Sequence, residues 1–195
     1  MKKHLYQFTV IMLLFVSQLA HAYNPYYGPS RSTVGDPAKS IHDALGKINT
    51  FSKSTDTANP VLLRSFIENE IIPHFSFDDM ATWITGPYAR QMSKKEKLDF
   101  EQQLKEAFLG SLARHLGSFD PDGNQVQILS ARNSGRNEAI VPVQVYRDNN
   151  YPARLEFRMR HNGTKWQIID VKANGTSAVL YYRKHFMNQL RSYRK

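Results

Sequence analysis

The chain has 195 residues, a formal charge of +9 at pH 7 and no cysteine. Its length suffices for one domain with a hydrophobic core and does not suggest two. The composition excludes disulfide bonds, a thiol nucleophile and cysteine-ligated zinc, and the positive charges do not cluster with stacking aromatic residues as a single-strand nucleic-acid binder requires.

The first 22 residues have the pattern of a secretory signal. Lys2 and Lys3 precede an apolar run over residues 8–16, and residues 20–22 form a small-x-small cleavage site. The run is shorter than the roughly 18 apolar residues of a membrane span, so we expect cleavage before Tyr23 rather than a retained N-terminal anchor. Cleavage removes two lysines and no acidic residue, which lowers the formal charge from +9 to +7. The expected location is a bacterial periplasm, where anionic lipid headgroups and acidic proteins, not nucleic acid, are the available partners.

The next segment, residues 23–36, is rich in Tyr, Pro, Gly and Ser and lacks periodicity, which predicts a flexible leader before a domain over residues 37–195. That domain begins with two helices. An N-cap residue followed by proline predicts their starts, at Asp36-Pro37 and at Asn59-Pro60. Apolar residues at helical spacing extend them to about residues 51 and 73. The two apolar stripes are Ile41, Leu45, Ile48 and Phe51, and Leu63, Phe66, Ile67 and Ile71.

Capping boxes mark two further helix starts, because a serine and an acidic residue three positions later can satisfy the first free amide groups of a helix. Ser76 with Asp79 begins a short helix that ends before a Gly-Pro pair. Ser93 with Glu96 begins the longest helix, which runs to about residue 116. Apolar residues at helical spacing follow along it.

The hydrophobic pattern changes to period two in the last third of the chain. Hairpin turns separate four predicted strands, which cover residues 125–131, 139–146, 154–160 and 165–173. An elbow over residues 174–177 and a helix over residues 178–191 follow. This order indicates an α+β domain, in which several helices pack on an antiparallel four-stranded sheet and a concave apolar surface lies between them.

No sequence motif for catalysis is present: the chain has no phosphate-binding glycine loop, no Gly-x-Ser-x-Gly and no His-Glu-x-x-His. Its histidines do not stand at metal-ligand spacing, so no metal site is predicted. Asp170 interrupts the last apolar strand close to the elbow. With His185 it could form the acid–base pair of a pocket enzyme, and the alternative is that Asp170 anchors the elbow through hydrogen bonds.

Several arginines of the C-terminal half could hold a phosphate near the mouth of a cavity, since a guanidinium group binds phosphate through paired hydrogen bonds. The alternative for each is a solvated strand face. These arginines are Arg132, Arg136, Arg154, Arg158, Arg160 and Arg183.

The last predicted strand, the elbow and the closing helix share their residue spacing with a known family. The residues concerned are Trp166, Asp170, Val171, Gly175, Ser177, Tyr182, Arg183 and Phe186. They resemble the MlaC (toluene-tolerance Ttg2D) family, in which Trp-x-x-x-Asp-Val is followed by Glu-Gly-Val-Ser and then by Tyr-Arg-x-x-Phe. Asn174 and Thr176 stand where that family has Glu and Val. The resemblance extends from about residue 38 to residue 191.

The resemblance implies an NTF2-like, MlaC-like fold and a soluble monomeric periplasmic carrier, with neither enzymatic activity nor cofactor. Its cargo would be phospholipid, passed between an outer-membrane lipoprotein complex and an inner-membrane ABC transporter with an Mce-domain subunit. Related members are associated with hopanoid transport, so a hopanoid or another lipid is an alternative cargo. The sequence also leaves open a pocket enzyme using Asp170 and His185, and a structural adaptor of the envelope.

A lipid carrier needs an apolar cavity, because two acyl chains of about 15 methylenes each represent on the order of 24 kcal/mol of hydrophobic free energy. The helix stripes and the apolar sheet face supply candidate lining side chains, each of which is equally a candidate for the hydrophobic core. The candidates for lipid binding are Met80, Phe100, Leu104, Phe108, Leu112, Val143, Val145, Leu155, Phe157, Met159, Val179, Tyr182 and Phe186.

Overall fold

The structure is a computed structural model that describes residues 35–54, 59–116, 124–147 and 152–192. The predicted signal peptide and nearly all of the predicted leader lie outside the described residues. The described ranges form a mixed structure of helices and antiparallel sheet, which confirms the predicted fold class.

The helices begin where the capping residues predict. The α-helices of the described ranges are α1 (Pro37–Ser52), α2 (Pro60–Phe66), α3 (Phe77–Thr85), α4 (Lys94–Leu116) and α5 (Ala178–Ser192). Asp36 Oδ1 accepts a hydrogen bond from the Ala38 amide at 2.9 Å. The capping box at α4 is reciprocal: the Ser93 amide donates to Glu96 Oε2 at 2.8 Å, and the Glu96 amide donates to Ser93 Oγ at 3.2 Å. These contacts satisfy amide groups that have no partner within the helix.

The second predicted helix covers the expected residues but is not uniform. After α2 the chain continues as a π-helical turn, Ile67–Ile71, and then as a 3₁₀ turn, Ile72–His74. Pro73 has no amide hydrogen, and its ring opposes regular α-helical bonding, so the helix cannot continue in ideal geometry up to this residue. A second 3₁₀ turn, Gly86–Arg90, follows α3 at the predicted Gly-Pro break.

The sheet has six strands in the described ranges, two more than the sequence predicts. They are β1 (Asn124–Ile128), β2 (Arg132–Gly135), β3 (Glu138–Arg147), β4 (Ala153–His161), β5 (Trp166–Ala173) and β6 (Thr176–Ser177). Neighbouring strands follow the order β1-β3-β4-β5-β6, all antiparallel, and β2 also pairs with β3. The strand β2 is short and mostly exposed and β6 has only two residues, so both lack the apolar alternation that reveals a strand in sequence.

One face of the sheet is apolar. Val143 and Val141 of β3 lie opposite Leu155 and Phe157 of β4, and these in turn lie opposite residues of β5. Because side chains alternate between faces along a strand, this register gathers the apolar side chains of three strands on the same side. The helix α1 contacts β3 and β5.

A β-bulge interrupts the pairing of β4 with β5. Arg158 pairs with Asp170 and Met159 pairs with Ile168, so Ile169 is an extra residue on β5. In a regular strand, positions 168 and 171 would point to opposite faces. The bulge shifts this phase, so that Ile168 and Val171 lie on the same side of the sheet.

Candidate functional site

An apolar cavity of about 280 Å³ lies between α1 and the apolar face of the sheet. The helices α4 and α5 and the elbow complete its wall. Hydrocarbon and aromatic side chains predominate in the lining, and the polar groups are hydroxyls of the elbow and α5. The lining residues are Ile41, Ala44, Leu45, Ile48, Ile71, Phe75, Phe108, Leu112, Leu155, Phe157, Ile168, Val171, Ala173, Thr176, Ser177, Ala178, Tyr181 and Tyr182.

The cavity runs from the protein surface into the interior. Thr176, on its wall, is exposed to solvent. Ile41, Ile71 and Ile168, also on its wall, are only 2% exposed. We call the part of the wall at Thr176 the rim. The cavity wall therefore includes both solvent-exposed and fully buried side chains.

A second apolar cavity of about 40 Å³ adjoins the first. Phe75 and Phe108 line both cavities, and their ring centroids are 4.6 Å apart. The smaller cavity lies between α3, α4 and α5. It shares Val171, Ala178 and Tyr182 with the larger cavity as well, and its remaining wall is formed by Phe77, Met80, Ile84, Leu104, Ala107 and Val179.

The structure divides the predicted lipid-binding residues into three groups. Those on the larger cavity are Phe108, Leu112, Leu155, Phe157 and Tyr182. Met80, Leu104 and Val179 line only the smaller cavity. Val143, Val145 and Met159 pack in or against the core and line neither cavity, and so do Phe100 and Phe186, whose rings are 5.3 Å apart.

Phe100 instead borders a separate surface pocket of about 170 Å³ between α3 and α4. This pocket is lined by polar and charged side chains as well, among them Asp78, Arg90 and Lys97. Phe186 contacts Tyr88 from the other side, with ring centroids 5.7 Å apart. These aromatic contacts join α5 to α4 and to the α3–α4 connection.

Sequence reasoning missed the contribution of α1. The pattern of Ile41, Leu45 and Ile48 is an apolar stripe, and such a stripe predicts burial without distinguishing a cavity wall from a packed core. Ile168 and Val171 were missed for a different reason: the bulge that brings them together leaves no mark in the sequence.

Asp170 directs both carboxylate oxygens at the elbow. The Ser177 hydroxyl donates to Asp170 Oδ2 at 2.6 Å, and the Val179 amide donates to Oδ1 at 3.1 Å. The Leu180 amide in turn donates to Ser177 Oγ at 3.1 Å. Asp170 is 3% exposed, and a buried carboxylate requires such partners. The geometry confirms the interpretation of Asp170 as the anchor of the elbow, whereas His185 faces Tyr181, with ring centroids 4.4 Å apart.

Backbone geometry also shapes the elbow. Gly175 has φ = 84° and Asn174 has φ = 48°, a left-handed region that glycine adopts readily and asparagine more readily than most residues. The Asn174 amide donates to the Arg154 carbonyl at 2.9 Å, which ties the elbow to β4. The elbow thus places the start of α5 at the rim of the larger cavity.

Three of the predicted phosphate-binding arginines form ion pairs with glutamates of the sheet, whereas Arg154 joins the elbow through its backbone. Arg132 donates to Glu156 at 2.6 Å, and Arg158 and Arg160 donate to Glu138 at 2.6 and 2.8 Å. These ion pairs lie on the sheet face opposite the cavity, which we call the charged face. Burial would raise the pKa of Glu138, but the hydrogen bonds from both arginines outweigh it and hold that pKa below its usual value.

The charged face also contacts α3. Arg160 forms an ion pair with Asp79, and the Arg158 guanidinium lies 4.2 Å from the centroid of the Trp83 ring. Of the remaining arginines, Arg183 crosses over Gly86, where a Cβ would stand 2.8 Å from its Nη2 atom. None of these arginines lines either apolar cavity.

The described part of the chain offers neither a metal site nor a membrane span. Within those ranges, no group of three or more His, Asp or Glu side chains could hold a metal ion. No helix there is both long and apolar enough to cross a bilayer.

Comparisons with known proteins agree with this geometry. The sequence model of the family described as MlaC protein matches residues 39–194. Among solved structures, the chain is similar to a phospholipid-binding protein from Ralstonia solanacearum in complex with a phospholipid, at 16% identity and a TM-score of 0.69. The match covers 79% of this chain and 87% of that one. At this identity the likeness shows a shared fold.

Proposed function

The chain belongs to the MlaC family, and from this premise we propose that it is a lipid carrier that holds the acyl part of a phospholipid in the larger cavity. The headgroup stays at the rim, near Thr176, where the wall is exposed. During transfer between membranes, the acyl part of the cargo stays enclosed by the protein.

The size and lining of the cavity carry this proposal. Protein interiors are close-packed and contain few voids larger than a water molecule. A cavity of about 280 Å³ with an almost wholly apolar wall is therefore a ligand site and not a packing defect. Its exposed rim suits an amphiphile, whose polar group remains in water while its hydrocarbon is buried.

The energetics explain why a protein is needed. An acyl chain of about 15 methylenes represents on the order of 12 kcal/mol of hydrophobic free energy, at roughly 0.8 kcal/mol per CH₂. A lipid monomer dissolved in water loses all of this hydrophobic free energy. Inside the cavity the acyl chain stays in an apolar environment, so its transfer between membranes does not require that loss.

The cellular setting belongs to the same proposal. The signal-like residues 1–22 support export to the periplasm. There the protein, as a monomer, exchanges lipid with an outer-membrane lipoprotein complex and with an inner-membrane ABC transporter that has an Mce-domain subunit.

The test is lipid occupancy of protein purified without detergent. Native mass spectrometry is expected to show a bound lipid, and a Leu112→Trp variant, which fills the cavity from α4, is expected to lose it. The matched control is Leu98→Trp on the same helix, at a position 55% exposed, which is expected to keep the lipid. Protein that is reproducibly empty and takes up no lipid from vesicles would contradict the proposal. Extraction of the bound lipid also distinguishes a phospholipid from a hopanoid.

A further inference from the structure

The outer face of α5 combines positive charge with an exposed apolar side chain. It is formed by Leu180, Lys184 and Arg191, which are all exposed. They stand four and seven residues apart, so they lie on one side of the helix. Ala178 and Tyr182, on the opposite side of the helix, line the larger cavity. The helix α5 therefore presents one face to the cavity and a basic, partly apolar face to solvent.

No acidic residue of α5 balances these charges. The helix contains Arg183, Lys184 and Arg191 and neither Asp nor Glu. Within the described ranges, Lys184 and Arg191 are not paired with a carboxylate, whereas Lys95 near the start of α4 pairs with a carboxylate at 2.8 Å. Asp170, which anchors the start of α5, is 3% exposed and accepts two hydrogen bonds. The solvent side of α5 is therefore a positive surface.

This positive surface adjoins the rim of the larger cavity. Thr176 is exposed and lines the cavity, and α5 begins two residues later. Tyr181, the residue after Leu180, also lines the cavity. Arg154 is exposed and lies beside the elbow, because its carbonyl accepts a hydrogen bond from the Asn174 amide at 2.9 Å. Whatever contacts Leu180 therefore lies about one helical turn from the rim.

We propose that the outer face of α5 docks the protein on the anionic surface of a lipid bilayer. Basic side chains of an amphipathic helix are attracted to anionic headgroups, and an exposed leucine enters the boundary between headgroups and acyl chains. A bilayer accounts for the position of this face as well as for its charge, because hydrocarbon that leaves the cavity at the rim then enters lipid directly. The inference goes beyond the proposed function, which specifies a cavity and a cargo but no surface for contact with lipid.

Co-sedimentation of the mature protein with vesicles measures docking. Vesicles of phosphatidylcholine alone are compared with vesicles that also contain phosphatidylglycerol, which is anionic. We expect at least about tenfold tighter binding to the anionic vesicles, from two basic side chains near the surface. Binding should weaken with added salt, because the screening length falls from about 10 Å at 0.1 M to about 3 Å at 1 M. Equal binding to both kinds of vesicle overturns the inference.

Variants of the outer face locate the contact. Lys184→Gln is expected to weaken binding to anionic vesicles about fivefold, which is the effect of one basic residue near such a surface. Leu180→Gln is expected to weaken it about tenfold, because the substitution removes the side chain that enters the apolar boundary. Both positions are exposed, so neither substitution disturbs the core.

Two matched controls change the same kinds of side chain elsewhere. Arg136 is exposed in the turn between β2 and β3. That turn lies at the end of the sheet opposite the elbow, because Glu138 pairs with Arg160 whereas the elbow adjoins Arg154. Leu98 of α4 is 55% exposed, close to the 59% of Leu180. Arg136→Gln and Leu98→Gln are each expected to change vesicle binding less than about twofold, since both lie away from the contact.

The outcomes decide between a lipid surface and another role for this face. Equal loss of binding in the outer-face variants and in the controls overturns the inference, and so does unchanged binding in all four. A face that serves an acidic protein surface predicts no sedimentation with either kind of vesicle, which also overturns it. Thermal unfolding of each variant shows separately that the fold persists.

Cargo occupancy, measured by native mass spectrometry, is a separate quantity. Protein that docks on anionic vesicles but never holds lipid overturns the lipid carrier and leaves the docking face standing. Protein that extracts lipid yet stays in the supernatant does the reverse.

Discussion

Asp170 is the side chain that sets the entry into the cavity. It accepts one hydrogen bond from the Ser177 hydroxyl and one from the Val179 amide. The first of these closes the elbow and the second holds the first turn of α5, where negative charge also favours the helix dipole. Tyr181 and Tyr182, which line the cavity, follow directly on that turn. A single buried carboxylate thus fixes the angle at which α5 meets the rim.

An Asp170→Asn substitution is expected to lower the free energy of unfolding by about 1.5–3 kcal/mol, because one carboxylate oxygen becomes an amide nitrogen, which cannot accept the hydrogen bond that the Ser177 hydroxyl or the Val179 amide donates. The measurement is urea unfolding. The control is Asp99→Asn, whose carboxylate is exposed and forms a surface ion pair with Lys95, so it is expected to cost less than about 1 kcal/mol. Equal effects of the two substitutions would show that Asp170 anchors nothing. Loss of a chemical turnover, with stability unchanged, would revive the acid–base hypothesis.

Glu138 makes the charged face sensitive to acid. Its pKa is lowered in the folded protein, so it contributes stability above the ordinary glutamate pKa of 4.5, and that contribution is lost as the pH falls through the lowered value. We expect Glu138→Gln to reduce stability at pH 7, by about 1–3 kcal/mol, since Arg158 and Arg160 lose a charged partner. The difference from the natural protein should shrink below pH 4.5. A difference that is constant from about pH 7 to about pH 3 contradicts this assignment.

At the scale of elements, α1 forms one wall of the larger cavity. Its apolar side chains face the sheet, and its last turn packs against α2. At the end of α1, the ring of Phe51 stacks on the ring of Phe66 in α2, with centroids 4.1 Å apart. Apolar and aromatic contacts of this kind resist separation without depending on salt or pH.

A Phe51→Ala substitution is expected to loosen the end of α1 and to lower stability by about 1–3 kcal/mol, less than a fully buried phenylalanine because this ring is half-buried. Amide hydrogen exchange along α1 should accelerate. Leu98→Ala removes an exposed apolar side chain from α4 and should change neither quantity. Unchanged exchange along α1 would show that the contact between Phe51 and Phe66 does not hold the end of the helix.

The helix starts and the four long strands were predictable because their signals are local. Asp36, Ser93 and Glu96 cap through neighbours two or three residues away, and β3 and β4 alternate over nine or more residues. The strands β2 and β6 and the bulge at Ile169 depend on pairing with distant segments, which a short polar stretch does not reveal. The cavity itself was predictable only as an apolar concavity, since Leu155 and Val143 carry the same signal and only one of them lines it.

At the scale of the whole molecule, the sheet separates two environments. One face supports the apolar cavity, and the other carries ion pairs between β3 and β4 and between β2 and β4. Arg132, Arg158 and Arg160 form ion pairs on that face, so these three side chains contribute no positive charge at the cavity. Any preference for an anionic headgroup must therefore come from residues at the rim.

Export is expected to remove residues 1–22, so that the mature protein begins at Tyr23. Intact-mass measurement of protein recovered from the periplasmic fraction of an expressing bacterium checks this expectation. Cleavage leaves no long apolar segment before the domain. Recovery of uncut protein in the membrane fraction would instead show a retained anchor.

Because of the bulge at Ile169, β5 both lines the larger cavity and anchors α5, and these two roles cannot vary independently. One inserted backbone unit turns Val171 toward the larger cavity and leaves Asp170 in position to hold α5. Substitutions along β5 can therefore alter the cavity lining one side chain at a time. An insertion or deletion between Trp166 and Ala173 changes the lining and the helix anchor in a single step, so the length of this strand should be far less tolerant of evolutionary change than its composition.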